Sequence, residues 1–282
     1  MRGTAIVTDS TSDIPGQLVE KYGITVVPLT VIFENESLKD DPRELTPKEF
    51  YEKLNRSKSL PKTAQPSPKD FMDAYSSLLE NHENIISIHI SKKMSGTISS
   101  AEMAKKKFDD KKINIIDSEL VHMPLGFVAL KAARLAQEGK QFEEITSAVE
   151  DFKKNIQALF IPRTLEFLQK GGRIGRAKSL IASLLEIKPV LTLNHGEVSQ
   201  FKTARRWKQA KNELIASMKD MVSRPNDLVV SVADSNSLED GDEMAERISK
   251  AFGPKQILRV SFGCVLGTHI GPGSIGITFY ED

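Results

Sequence analysis

Three short apolar runs, "TAIVTDS" (4–10), "NIISIHI" (84–90) and "INIIDS" (113–118), constrain this chain most. Each is rich in β-branched residues, each stops on small polar residues, and each is followed by a stretch with helical grammar. Strands alternating with helices imply parallel βαβ units, and such sheets place function at the carboxyl ends of their strands. Thr8-Asp9-Ser10, Ile90-Ser91 and Asp117-Ser118 should therefore gather at one sheet edge as a polar site.

The intervening segments fit. A helix from Ser12 or Asp13 through Pro15 to Tyr22 is closed by Gly23, and "ITVVPLTVIF" (24–33) reads as one strand. Thr46-Pro47 with Glu49, and Ser67-Pro68 with Asp70, spell two capping boxes with proline at the first helical position. Helices are expected over "SAEMAKKKF", "PLGFVALKAARLAQEG" and "EEITSAVEDFKKN". The grammar then changes: strand "IQALFIP", short helix "TLEFLQKGG", helix "RAKSLIASLLEI", and a hairpin turning at Asn194-His195-Gly196. A helix from Arg205 to about Val222, strand "DLVVSVADS", helix "EMAERISKAF" and strand "QILRVSFG" complete the pattern. The fold class is α/β: an N-terminal parallel-sheet domain, residues 1–155, and a C-terminal mixed α+β domain, residues 156–282. A length of 282 residues suits two cores.

Composition excludes several classes. Lys plus Arg number 39 against 38 for Asp plus Glu, so the chain is not built chiefly for nucleic acid or an anionic membrane surface. No apolar stretch approaches the ~20 residues that span a bilayer, and the start shows no signal-peptide pattern. Cys264 is the sole cysteine, so no intramolecular disulfide can form, which fits a cytoplasmic location; the thiol reads as a buried small hydrophobe. The five histidines lack metal-ligand spacing, so no metal is expected.

Five stretches carry candidate chemistry. In "MSGT" (94–97), a strand, a tight turn and a helix start leave free N–H groups at the helix N-terminus, and Ser95 and Thr97 add hydroxyls around Gly96. This is an anion cradle or an ordinary cap; the glycine–x–serine–x–glycine elbow of hydrolases does not fit. "KTAQPSP" (62–68) presents Thr63 and Gln65 on a stiff loop, as ligand groups or as a plain turn. "FLQKGGRIGRAKS" fails the phosphate-loop spacing, and its Arg173 could hold a carboxylate, order a loop or face a partner. "GTHIGPGSIG" (267–276) leaves little side-chain volume beside His269, which suggests close approach to a ligand or a domain interface. His269 itself is expected to titrate near neutral pH. "KTARRWKQAK" (202–211) reads as a solvated or docking helix face rather than a nucleic-acid site.

Taken in order, "TDSTSDIP", "KTAQPSP", "SKKMSGTISSA", "IIDS", "FLQKGGRIGRAKSLIASLLEIKPVLTLNHGEV" and "HIGPGSIG" resemble the DegV family of bacterial fatty-acid-binding proteins across almost the whole chain. The resemblance implies a long-chain fatty acid in a tunnel between two domains, with no other cofactor. Such a protein is a non-catalytic acyl carrier that presents the carboxylate to a separate fatty acid kinase, whose acyl phosphate enters phospholipid synthesis; transient membrane contact is compatible with that role. It assigns Thr63, Ser95, Gly96, Thr97 and His269 to the carboxylate and Arg173 to work with the kinase. The chain departs from the family pattern at Ile270, where a threonine is usual, and at His122 and Pro124, where a Ser-Met-Gly segment is usual. The competing readings are an acyl hydrolase or transferase using Ser95 and His269, with Asp9 or Asp117 as orienting group, and a binder of another small anionic ligand.

Overall fold

The computed structural model describes residues 3–183 and 187–282. It divides into two compact units, Met1–Glu44 with Thr63–Lys154, and Leu45–Lys62 with Asn155–Asp282. In chain order the elements are β1 (Thr4–Asp9), α1 (Gly16–Tyr22), β2 (Thr25–Val27), β3 (Thr30–Ile32), β4 (Ser37–Lys39), α2 (Pro47–Arg56), β5 (Lys62–Ala64), α3 (Pro68–Leu79), β6 (Asn84–His89), α4 (Thr97–Lys105), β7 (Ile113–Asp117), α5 (Met123–Gln137) and α6 (Phe142–Phe152). There follow β8 (Gln157–Ile161), α7 (Glu166–Lys170), β9 (Lys188–Asn194), β10 (Glu197–Ala204), α8 (Trp207–Met221), β11 (Leu228–Asp234), α9 (Leu238–Phe252), β12 (Gln256–Ser261), α10 (Cys264–Ile270) and β13 (Ile275–Glu281).

In the first unit the strands run in the order β2-β1-β6-β7, all parallel. The period of two sends Ala5, Val7 and Ile85 to one face, where they pack with Phe71 and Tyr75 of α3 and Ala101 and Ala104 of α4. Helices α5 and α6 pack on the same sheet. Both capping boxes form as expected, with Thr46 and Glu49 on α2 and Ser67 and Asp70 on α3. The expected single strand 24–33 is two: Pro28, lacking an N–H, ends β2, and β3 enters a separate three-stranded sheet, β4-β3-β5. Neither Ser12 nor Asp13 caps α1. Residues Ser10–Ser12 instead form a 3-10 turn capped by Asp9, Asp13 is left-handed at φ 48°, and Pro15 precedes the helix without a side-chain cap.

The second unit is built on a six-stranded mixed sheet, β10-β9-β8-β13-β11-β12, antiparallel except for the β11–β12 pair. One apolar cluster joins Leu159, Val230 and Ile277 of the sheet to Leu214 and Met218 of α8 and Met244 and Ile248 of α9. The hairpin turns at His195 and Gly196, both at positive φ (49° and 78°), the pattern of a two-residue turn matched to strand twist. The helix expected over 176–187 is a 3-10 segment, Gly175–Ser183, where described, and residues 184–186 lie outside the described residues. It opens on Gly175 at φ 52°, where a Cβ would meet the Val198 carbonyl oxygen at 2.6 Å.

The division expected after residue 155 needs a correction. The chain changes unit near that point, but it also leaves the first unit at Leu45 and returns at Thr63. The cause is the packing of α2. A Cβ on Gly267 of α10 would lie 2.5 Å from the Phe50 ring and 2.8 Å from the Tyr51 hydroxyl. Tyr51 donates to the Phe262 carbonyl at 3.2 Å, and the Cys264 thiol faces the Leu45 carbonyl at 3.5 Å. Cys264 is accordingly buried, as a small hydrophobe would be.

Candidate functional site

In the first unit the ends of β1, β6 and β7 form a polar edge because adjacent parallel strands all finish there. Ser118 donates to the His89 carbonyl at 2.6 Å, and the Ser91 N–H donates to the Leu120 carbonyl at 3.0 Å. After β6 the chain makes a turn in which Met94 and Ser95 N–H both donate to the Ser91 carbonyl, at 2.9 and 3.1 Å. That turn delivers Ser95, Gly96 and Thr97 to the start of α4. Ser95 Oγ lies 2.8 Å from Thr97 Oγ1 and accepts the Thr97 N–H at 3.3 Å. Two hydroxyls beside a helix N-terminus suit a small anion, since the N–H groups and the helix dipole carry positive character. A nucleophilic serine would instead need a base within reach, and here Ser95 Oγ is paired with Thr97 Oγ1.

Gln65 follows β5, the strand that carries Thr63, and its side chain lies over this helix start. Its Nε2 donates to Ser100 Oγ at 3.2 Å, and a Cβ on Gly96 would meet its Oε1 at 2.2 Å. Gly96 has φ −78°, which any residue adopts, so the glycine is required by Gln65 and not by backbone conformation.

Behind this edge lies a buried polar chain that reading the sequence alone missed. Asp9 accepts from His89 Nδ1 at 3.0 Å, from the Ile90 N–H at 3.0 Å, and from the Thr11 N–H and hydroxyl. His89 Nε2 lies 2.6 Å from Ser87 Oγ, which lies 2.8 Å from the Tyr75 hydroxyl. With the imidazole hydrogen on Nδ1, protons point one way from Tyr75 through Ser87 and His89 to the Asp9 carboxylate, and every donor is used. The order serine, histidine, aspartate is that of a hydrolytic triad, yet Ser87, His89 and Asp9 are each 0% exposed, so no substrate reaches them. Burial pushes the Tyr75 hydroxyl up from its ordinary value, against the lowering effect of Ser87. Asp9 is thereby occupied within its own unit, and Asp117 accepts the Glu119 N–H at 3.0 Å. The signal was in the spacing: Ser87 and His89, two apart on a strand, share the face that Asp9 presents from the neighbouring strand.

In the second unit His269 sits on α10 beside the Gly171-Gly172 end of α7. A Cβ on Gly171 would lie 2.3 Å from His269 Nδ1, so the ring packs directly on that backbone. Arg173 Nη1 donates to the Gly171 carbonyl at 2.7 Å. Burial, and after it the Arg173 charge, lower the His269 pKa to about 4. The expectation of titration near neutral pH is therefore corrected: His269 is a neutral donor or acceptor at pH 7, and Arg173 is the local positive charge.

The glycines around His269 have partners inside the unit. Gly267 makes room for Phe50 and Tyr51, Gly271 (φ 73°) for the Phe167 ring at 2.4 Å, and Gly276 for Phe262 at 2.8 Å. At Gly267, Gly271 and Gly276 the close approach is thus to aromatic side chains, and Gly273 faces Arg163. Ile270 is buried with Ala233 and Phe262. His122 precedes α5 at φ 63° and ψ −154°, with Nε2 3.5 Å from the Asp13 carboxylate and both side chains nearly sealed. The basic stretch 202–211 also has a structural role. Trp207 Nε1 donates to Asp240, Arg163 lies 4.8 Å over its ring, and buried Lys211 pairs with Asp240 at 2.7 Å and with Glu243.

Among the described residues no three His, Cys, Asp or Glu side chains gather as a metal site, and no helix is long and apolar enough to cross a membrane. Comparison with known proteins gives a family. A model described as "Uncharacterised protein, DegV family" matches residues 3–282. A DegV domain-containing protein of Clostridium acetobutylicum is 38% identical over 281 residues, 98% of this chain and 97% of its own length. Among solved structures, a DegV family protein of Thermus thermophilus, described as fatty acid binding, superposes with a TM-score of 0.93 at 33% identity over 100% of both chains. DegV of Bacillus subtilis, described as a fatty acid binding protein, does so with a TM-score of 0.92 at 33% identity, again over 100% of both. On a match that runs from residue 3 to the last, this chain belongs to the DegV family.

Proposed function

We propose that this chain binds a long-chain fatty acid and acts as its carrier, without chemistry of its own. The observation that carries the reading is the Ser95–Thr97 hydroxyl pair at the N-terminus of α4, a polar pair suited to a carboxylate. Two family members described as fatty acid binding support the choice of ligand. The resemblance assigns Thr63, Ser95, Gly96 and Thr97 to the carboxylate. His269, neutral at pH 7, is assigned to the same head group as a hydrogen-bonding rather than an ion-pairing residue. Apolar burial of the acyl chain supplies about 0.8 kcal/mol per CH₂, so the polar residues orient a ligand whose affinity comes mostly from its tail.

The carrier presents the carboxylate to a separate fatty acid kinase, and Arg173 takes part in that step; the resemblance in motif order supports this part. The hydrolase reading, with Ser95 as nucleophile, His269 as base and Asp9 as one orienting candidate, loses support because Asp9 is committed to buried His89 and Ser95 Oγ is paired with Thr97.

Titration with oleate followed by calorimetry tests the assignment. Ser95→Ala and Thr63→Ala should each weaken binding about tenfold, the loss of a hydrogen bond to a charged group. Arg173→Ala should leave binding within about twofold and slow acyl phosphate formation by a partner kinase. Burst release of product from an activated acyl ester, lost in Ser95→Ala, would replace the carrier with an enzyme.

A further inference from the structure

We infer that Gln65 is a positioning residue for carboxylate recognition, acting by clamping the strand that carries Thr63 onto the start of α4; the inference rests on the fatty-acid reading. Thr63 lies on β5, and Gln65 directly follows the last residue of that strand, with one residue between the two. The Gln65 carboxamide lies across Gly96 and donates to Ser100 Oγ, one turn into the helix. Ser100 is 3% exposed and its own N–H is given to the Gly96 carbonyl at 3.1 Å, so the clamp is anchored on a rigid part of α4. Holding Gln65 there fixes Thr63 relative to the Ser95–Thr97 pair and covers one side of the helix N-terminus from water. Both effects act on a charged head group and leave the acyl tail untouched.

Gly96 provides the handle. The three atoms nearest to a Cβ at this position all belong to Gln65, an exposed and flexible side chain, and φ −78° accepts alanine. Gly96→Ala therefore evicts Gln65 at little cost to the fold. The two residues are coupled: once Gln65 is gone, the three atoms that lie nearest to the added methyl are gone with it.

The test compares oleate with oleyl alcohol, which share a tail and differ in charge, on the wild type, Gln65→Ala, Gly96→Ala and the double variant. The expected result is that the oleate-to-alcohol affinity ratio falls about tenfold in each single variant and no further in the double variant. Alcohol binding should stay within about twofold throughout, a readout that general destabilisation would not spare. An unchanged ratio in Gly96→Ala, or losses that multiply in the double variant, overturns the role of Gln65 while the fatty-acid reading stands. A wild type that takes up neither ligand overturns the fatty-acid reading, and this inference with it.

Discussion

His269 shows how far a residue's chemistry depends on its neighbours. Held unprotonated down to about pH 4 by burial and by Arg173, it differs from an imidazole in the unfolded chain, which protonates near 6.5. Between those values the unfolded state binds more protons, so stability falls as pH is lowered through the window, by on the order of 3 kcal/mol at its lower end. Urea unfolding at pH 7 and pH 5 should show a smaller decline for His269→Asn than for the wild type; equal declines would contradict the shifted pKa. In a proton NMR titration, Arg173→Ala should move the His269 pKa upward but leave it below 6.5, because burial remains. Gly171 belongs to the same argument. Its φ of −74° is ordinary, yet a methyl there would strike His269 Nδ1 at 2.3 Å and the Phe167 carbonyl at 2.9 Å. Gly171→Ala is expected to cost about 1–3 kcal/mol in urea and to shift the His269 resonances. The identity of His269 as a candidate was legible in the sequence. Its protonation state was not, because burial and the Arg173 charge arise from chain segments nearly a hundred residues apart.

At the scale of elements, the buried chain Tyr75–Ser87–His89–Asp9 ties α3, β6 and β1 together. Removing its middle leaves a carboxylate short of a donor in a dry interior, whereas removing its end leaves a single hydroxyl to readjust. His89→Ala should therefore cost about 3 kcal/mol or more and Tyr75→Phe about 1 kcal/mol, both read from urea midpoints. A His89→Ala loss below about 1 kcal/mol would show that the chain is incidental to stability. Elements of this kind are partly visible beforehand. Strand periodicity and the two capping boxes are local patterns, and β1, β6, β7, α2 and α3 form where those patterns lie. The break at Pro28 was missed because the apolar run continues across it, and backbone hydrogen bonding, not hydropathy, decides where a proline ends a strand. The Gly96–Gln65 contact was missed for a related reason: glycine in a turn suggests a special backbone angle, and here it answers a side chain thirty-one positions earlier.

At the scale of the whole molecule, two cores and their α/β character follow from length and from the change of grammar near residue 155. The passage of Leu45–Lys62 into the second unit does not, since nothing in a capped amphipathic helix says which sheet it will join. That choice is made by Phe50 and Tyr51 meeting Gly267 of α10. Function stands on the same footing. The Ser-Gly-Thr turn was legible as an anion cradle or a cap, its two hydroxyls stand together at the start of α4, and the ligand reading comes from family likeness at full length. The central claim is thus that the chain carries a long-chain fatty acid. Mass spectrometry of the organic extract from denatured protein, purified from a bacterial host, tests it most directly. About one long-chain fatty acid per chain is the predicted result. An empty extract, together with failure to take up added oleate, would contradict it.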